Sequence, residues 1–335
     1  MENKEPLILG IDLGGTKILT SVVNARGGML SRDRTATPAA EGPGAVIEAM
    51  AASAGRALEG ASLSMDAISA VGIGAPGLSD SKAGILFTSP NLPGWKDVPL
   101  RDILRDKMKK KAFLVNDGNA AALGEYFFGA AKGVRHFIYI TISTGIGGGI
   151  VVDGKILTGS RGTAGEVGHM TIADEGPPCH CGNRGCWEAL ASGTALAGEA
   201  RRRIEAGAET AILGLAGGRI EGVTAQTVQS AAEKGDRLAH ELILRTARYF
   251  GVGLANLINI FNPAMIVIGG GLSNMGDRLL QPAYRAAEER TFPQAYGAVR
   301  FVPAALGRDS GVLGAAAFAL DELKRIDGDT LRTGR

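Results

Sequence analysis

Cysteine is almost missing from this chain of 335 residues: there are three, all between Cys179 and Cys186. An odd number in one short cluster excludes a disulfide framework, which needs pairs placed to staple a small secreted fold. Aromatic residues are also scarce, at 5% against 50 glycines, so backbone geometry counts for more here than ring stacking. An excess of one charge is lacking as well. The net charge is +2, from 36 Lys and Arg against 34 Asp and Glu, too weak a field to draw nucleic acid or a membrane surface. No apolar run has the length of a signal peptide's core or of a membrane span, and the expectation is a cytoplasmic protein. No Walker A pattern occurs, and the G-x-G-x-x-G spacing occurs once, at Gly72 to Gly77, where Pro76-Gly77 opposes the helix that the fingerprint of a pyridine-nucleotide oxidoreductase must open.

The sequence is 45% hydrophobic and 21% charged, the balance of a soluble globular protein, and is long enough for two domains. The stretch PLILGIDLGGTKILTSVVN predicts an apolar strand, a tight glycine turn and a second strand. HFIYITISTGIGGGIVVDGKI repeats the device. Between them fall a helix near 43–59, a strand near 67–74 ending in GAPG, and a helix near 99–109. The strand AFLVN then runs into the helix DGNAAALGEYFFG. Later segments are mostly helical, with a long helix around 236–258, the strand PAMIVIGGG, and the helix SGVLGAAAFAL, whose small residues predict close packing. Alternating strands and helices argue for α/β architecture.

The glycine turns suit anions, because convergent backbone N–H groups without Cβ atoms in the way let a phosphate approach. Asp12-Leu13-Gly14-Gly15-Thr16-Lys17 adds a carboxylate suited to Mg²⁺, a hydroxyl and a cation. Thr144-Gly145, with Gly147 to Gly149, forms a matching set, and Gly269-Gly270-Gly271 follows a third apolar strand with room for a base or ribose. Three such turns favour a nucleotide over three ordinary hairpins.

The cysteines read H-x9-C-x-C-x4-C with His169, a Cys3His set that closes a tetrahedral structural zinc shell. His180 is a rival ligand, and the Glu166-Val-Gly-His169 context favours His169. Asp117 stands where a strand meets a helix. That position suits a helix cap, and it equally suits a base facing a cleft that takes a proton from an attacking hydroxyl.

The stretches GIDLGGTK, GAPG, PNLPGW, NDGNAAALGE, STGIGGGI, GEVGH, CHCGNRGCWE, VIGGGLS and GVLGAAAF together resemble the ROK family (repressors, open reading frames and sugar kinases), and within it the bacterial ATP-dependent glucokinases. The resemblance implies a two-domain α/β fold of the sugar kinase, Hsp70 and actin kind, built on ribonuclease H-like domains closing over a cleft. The smaller domain is expected over 1–117 with about 306–335, and the larger over 118–305 with the zinc loop at 168–188. It implies ATP with Mg²⁺ against Asp12, Gly14, Gly15, Thr16, Lys17, Thr144, Gly145, Gly270 and Gly271. It also makes Asp117 the base for a hexose 6-hydroxyl. Gly77, Asn91, Asn116, Glu166, His169 and Glu188 match sugar-binding positions, and zinc would hold the loop that carries two of them.

Ser143 departs mildly from the Gly of many relatives. The expected reaction is glucose to glucose 6-phosphate, with N-acetylmannosamine or N-acetylglucosamine as alternative substrates. A polyphosphate-using enzyme matches the zinc cluster less well. A sugar-sensing repressor would need a DNA-binding helix-turn-helix ahead of the first phosphate turn, and that turn begins about a dozen residues from Met1. The expected partners are a hexose and further copies of the chain, as a dimer or tetramer, with no nucleic acid and no membrane.

Overall fold

The computed structural model describes residues 5–90 and 92–333. In chain order the elements are β1 (Leu7–Leu13), β2 (Lys17–Asn24), β3 (Met29–Ala36), α1 (Gly42–Gly60), β4 (Ile68–Ala75), β5 (Leu78–Asp80), β6 (Ile85–Thr88), β7 (Lys96–Val98), α2 (Leu100–Met108), β8 (Ala112–Asn116) and α3 (Asp117–Phe128). There follow β9 (Phe137–Ile142), β10 (Ile146–Val152), β11 (Lys155–Ile156), α4 (Trp187–Ala191), α5 (Gly193–Glu205), α6 (Ile212–Leu215) and α7 (Ala225–Glu233). The chain ends with α8 (Arg237–Phe261), β12 (Met265–Gly269), α9 (Asp277–Glu288), α10 (Pro293–Ala298), β13 (Arg300–Pro303) and α11 (Ser310–Thr333).

Contacts divide the chain into two compact units. The first comprises Met1–Tyr139, Gly149–Gly165 and Ala304–Arg335, and the second comprises Ile140–Gly148 and Glu166–Pro303. These limits differ from the domain boundary expected at 117. The first unit retains α3 because α3 packs tightly on α11. A Cβ on Gly314 of α11 would collide with the carbonyl of Ala120, and one on Gly124 of α3 would come within 2.6 Å of Ser310 O. The small residues of the last helix therefore serve the close approach that their pattern predicts.

The first unit holds a sheet in the order β3-β2-β1-β4-β8. β1 pairs antiparallel with β2 and parallel with β4, and β4 pairs parallel with β8. All three central strands carry runs of buried aliphatic residues, such as Ile8, Leu9, Ile11 and Leu13 of β1, as expected of a sheet covered on both faces. One face packs on α1, through Val46, Met50 and Ala57, and the other on α11, through Val312, Ala316 and Leu320. The small antiparallel sheet β5-β6-β7 was not visible in the sequence pattern. Fully buried Glu125 of α3 accepts from Ala130 N (2.8 Å), Leu306 N (2.9 Å), Ala305 N (3.1 Å) and Ser310 Oγ (3.3 Å). A buried carboxylate is tolerated when donors surround it in this way.

A second five-stranded sheet has the order β11-β10-β9-β12-β13, and the chain passes between the units within β9 and β10. In the second unit α8 is the central helix. Asp236 caps it by accepting from Ala239 N at 2.8 Å, and Asn262 ends it with φ 42. Its buried face includes Leu242, Phe250 and Leu254. Buried Trp187 stacks on Phe250 at 5.2 Å and donates its indole N–H to Tyr249 O at 3.1 Å. Removing such a ring costs about 3–5 kcal/mol, so the segment behind Cys186 is firmly fastened.

Candidate active site

In the first unit, parallel pairing of β1, β4 and β8 brings their carboxyl ends to one edge of the sheet. Asp12 sits opposite Gly74, and Ala75 sits opposite Asn116. In open α/β sheets this is the edge where ligands bind. Asn116, not Asp117, caps α3: its Oδ1 accepts from Asn119 N at 3.1 Å. Asn116 Nδ2 donates to Gly77 O at 3.1 Å. One amide proton and one lone pair of Asn116 remain for other partners. Gly77 has φ +99, and a Cβ there would collide with Thr88 O, so the residue shapes this edge through its backbone.

Asp117 is exposed at the first position of α3, and one of its oxygens accepts from Gly118 N at 2.8 Å. Asp12 lies close enough for their charges to interact. Burial pushes the Asp12 carboxyl up to about 6, the negative charge of Asp117 adds to the shift, and Lys17 opposes it. Two carboxylates at one sheet edge are held together more easily with a cation between them. The hairpin turn between β1 and β2 is closed by Gly14 N to Lys17 O at 2.8 Å, and Thr37 Oγ1 donates to Gly14 O at 2.7 Å. Gly311, in the first turn of α11, packs so closely on Asp12 that a Cβ would come within 2.7 Å of its carboxylate. Gly15 and Thr16 lie in the same turn. Asn91 lies outside the described residues.

The second unit contains a cavity of about 250 Å³. Ser143 and Thr144, from the turn after β9, line one part of it, and Gly271 and Leu272, after β12, line another. The remaining wall comes from the starts of α5 and α7, notably Thr194, Thr224 and Gln226. Of the expected nucleotide residues here, Thr144 and Gly271 line the cavity. Gly145 and Gly270 are not among the lining residues, and both have a structural task. A Cβ on Gly145 would run into the Glu188 carboxylate, and one on Gly270 (φ +92) would run into Ile142 O. The wall from α5 and α7 carries no motif, so sequence reasoning missed it. The capping box of Thr224 and Thr227 was the one local signal, and it marks only a helix start.

Glu166, His169 and Glu188 converge in the same unit. Burial raises the Glu166 carboxyl above its ordinary range, with His169 lowering it and Glu188 raising it further. Glu188 Oε2 accepts from Ile146 N at 2.9 Å, which ties the helix after the cysteine loop to the turn after β9. His169 N donates to Glu166 O at 3.1 Å.

The ligand atoms of His169, Cys179, Cys181 and Cys186 all lie within 4.8 Å of one another. Cys179 Sγ is 3.6 Å from His169 Nδ1, and Cys181 Sγ is 3.7 Å from Cys186 Sγ. A tetrahedron with metal–sulfur bonds of about 2.3 Å has a sulfur–sulfur edge of about 3.8 Å, so the donor set and its spacing fit one zinc ion. Exposed His180 is outside the cluster. Backbone bonds hold the loop around it, with Cys179 N donating to Asn183 O (2.7 Å) and Trp187 N to Met170 O (2.8 Å).

A family model described as the ROK family matches residues 8–322, and the chain belongs to the ROK family. The glucokinase of Streptomyces coelicolor is 38% identical over 316 residues, which are 93% of this chain and 97% of that protein. A ROK family glucokinase from Streptomyces griseus, solved in complex with glucose and AMPPNP, is 36% identical. It covers 94% of this chain and 99% of its own, with a TM-score of 0.80. The xylose repressor of Caldicellulosiruptor bescii is 32% identical over 94% of this chain and 78% of its own. The fold class is thus the two-domain α/β class of the sugar kinases, as the sequence motifs imply. Among the described residues, no helix is long and apolar enough to cross a membrane.

Proposed function

We infer that this protein is an ATP-dependent hexose kinase that transfers the γ-phosphoryl group to the 6-hydroxyl of glucose. The observation that carries the reading is the likeness, along nearly the whole chain, to a glucokinase solved with glucose and AMPPNP. The site chemistry agrees with it. Asp117, exposed at the start of α3, takes the proton of the 6-hydroxyl as its oxygen attacks phosphorus in line. Asn91, Asn116, Glu166, His169 and Glu188 supply directional donors and acceptors to the ring hydroxyls, and Gly77 adds a backbone contact. Asp12, Gly14, Gly15, Thr16 and Lys17 serve the phosphates, while Thr144, Gly145, Gly270 and Gly271 serve the nucleotide. Mg²⁺ held near Asp12 would supply charge neutralisation on the phosphate oxygens.

Zinc bound by His169, Cys179, Cys181 and Cys186 would be structural, since four protein ligands leave no open position. With Nδ1 on the cysteine side, His169 keeps Nε2 for a sugar hydroxyl. We place the protein in the cytoplasm, where three clustered thiols stay reduced, and as a dimer or tetramer. The likeness to a xylose repressor favours a second reading, a sugar sensor without turnover.

The test is ADP release with Mg-ATP across glucose, mannose, fructose, N-acetylglucosamine and N-acetylmannosamine. Selective turnover of glucose is expected. A preference for an acetamido sugar would retain the mechanism and replace the substrate, and no turnover in zinc-loaded protein would favour the sensor.

A further inference from the structure

A second cavity, of about 680 Å³, opens beside α8 in the second unit, away from the lining of the nucleotide cavity. Three of its lining side chains are guanidinium groups, Arg245, Arg248 and Arg290, and none of the lining residues is acidic. Two of the three are held in place from outside the cavity. Arg245 pairs with Glu199 at 2.5 Å and lies 5.7 Å from the Tyr249 ring centre. Arg290 Nη1 donates to Ala286 O at 2.7 Å and pairs with exposed Glu289 at 2.9 Å. Among the described residues no carboxylate pairs with Arg248. Ile172, Val252 and Leu244, which is 54% exposed, give the remaining wall an apolar character.

Arginine forks match the oxygens of a phosphate group, and Arg248, which has no carboxylate partner among the described residues, leaves a positive charge at this cavity beside Arg245 and Arg290, whose forks their own partners orient. An apolar wall adds affinity only for a ligand with an apolar body to bury against it. We infer that this cavity binds a phosphate monoester whose organic body is apolar or aromatic, and that binding there acts on the Trp187–Glu188 segment. The connection is short. Tyr249 lines the cavity, and its carbonyl accepts the Trp187 indole N–H at 3.1 Å. Trp187 lies between the zinc-loop residue Cys186 and Glu188, whose carboxylate holds Ile146 N. Ile172 reaches the same loop through its amide, which donates to Gly185 O at 2.8 Å. A ligand between Ile172 and α8 therefore presses on both supports of the segment. The binding site stands apart from the kinase reading; its effect on the sugar rests on that reading.

The probe is phenyl phosphate, titrated into the full-length, metal-loaded protein by calorimetry, with inorganic phosphate and phenol as the partial ligands. Tryptophan emission in a Trp95→Phe background reports on Trp187 in parallel. Saturable binding is expected, at least threefold tighter than inorganic phosphate, with phenol silent and with a change in Trp187 emission. Arg248→Gln combined with Arg290→Gln should weaken it at least tenfold while leaving turnover without phenyl phosphate within twofold. In the unmodified protein phenyl phosphate should shift KM for glucose at least twofold.

No saturable binding, or equal binding to the double variant, overturns the proposal. So does a double variant whose particle mass in solution changes while the unmodified protein binds no phenyl phosphate, because the arginines would then belong to a subunit contact. Intact phenyl phosphate binding in a protein that phosphorylates no sugar would leave this site standing and remove the kinase reading alone.

Discussion

Asp33 shows how one side chain links a strand to a helix. Its carboxylate takes Arg56 Nε at 2.8 Å and Ser53 Oγ at 2.6 Å, joining β3 to α1. The Arg56 guanidinium holds the Asp33 carboxyl below its ordinary range, against a partial burial that raises it, and the Ser53 hydroxyl lowers it further. A carboxyl depressed in the folded state stabilises the fold fully above its unfolded value of about 3.9 and loses that contribution as pH falls through the folded value. Urea unfolding should therefore find Asp33→Asn less stable than the unmodified protein by a constant margin from pH 7 to pH 5, closing below pH 4. A margin that widens on acidification would contradict the pairing. The cysteine loop makes a residue-scale prediction of another kind. Cys181 is the exposed ligand of the four, so Cys181→Ser should lower bound zinc and weaken glucose binding with little change in nucleotide affinity. Zinc analysis beside calorimetry with glucose would decide, and metal loss with unchanged glucose binding would break the proposed link to His169 and Glu188.

Among the elements, α11 is the most tightly constrained by shape. Gly314→Ala places a Cβ against the Ala120 carbonyl. The helix propensity gain of about 1 kcal/mol is then outweighed by overpacking of about 1–3 kcal/mol or more. Gly198, inside α5, has nothing within 4 Å of a new Cβ, so Gly198→Ala should stabilise by about 0.5–1 kcal/mol. Thermal unfolding of both variants checks the contrast, and a stabilising Gly314→Ala would show that α3 and α11 are less closely held.

These elements also mark how far sequence reasoning reached. The strands β1, β4, β8, β9 and β12 were legible because buried strands read as apolar runs, and the cysteine loop because Cys179, Cys181 and Cys186 are close in sequence. The walls supplied by Thr194, Thr224 and Gln226 were not, since those residues meet only after α5 and α7 pack. Glu125 was hidden for the same reason: its donors at 305, 306 and 310 lie about 180 residues further on. The choice of Asn116 over Asp117 as the cap of α3 depends on backbone geometry that either residue type satisfies.

At the scale of the molecule, each of the two units carries its own set of polar groups. The first unit offers Asp12, Asn116 and Asp117 at the carboxyl edge of a parallel sheet. The second offers a hydroxyl- and glycine-lined cavity and a cysteine-bearing segment with Glu166, His169 and Glu188. Catalysis in such a system is positioning plus electrostatics, with one proton to move. The most direct test is Asp117→Asn, with glucose and ATP binding measured beside turnover. Both affinities should stay within a few-fold of the unmodified protein while kcat falls by about a hundredfold or more. Near-normal turnover in that variant would contradict Asp117 as the base, because the proton of the sugar hydroxyl would then have another acceptor.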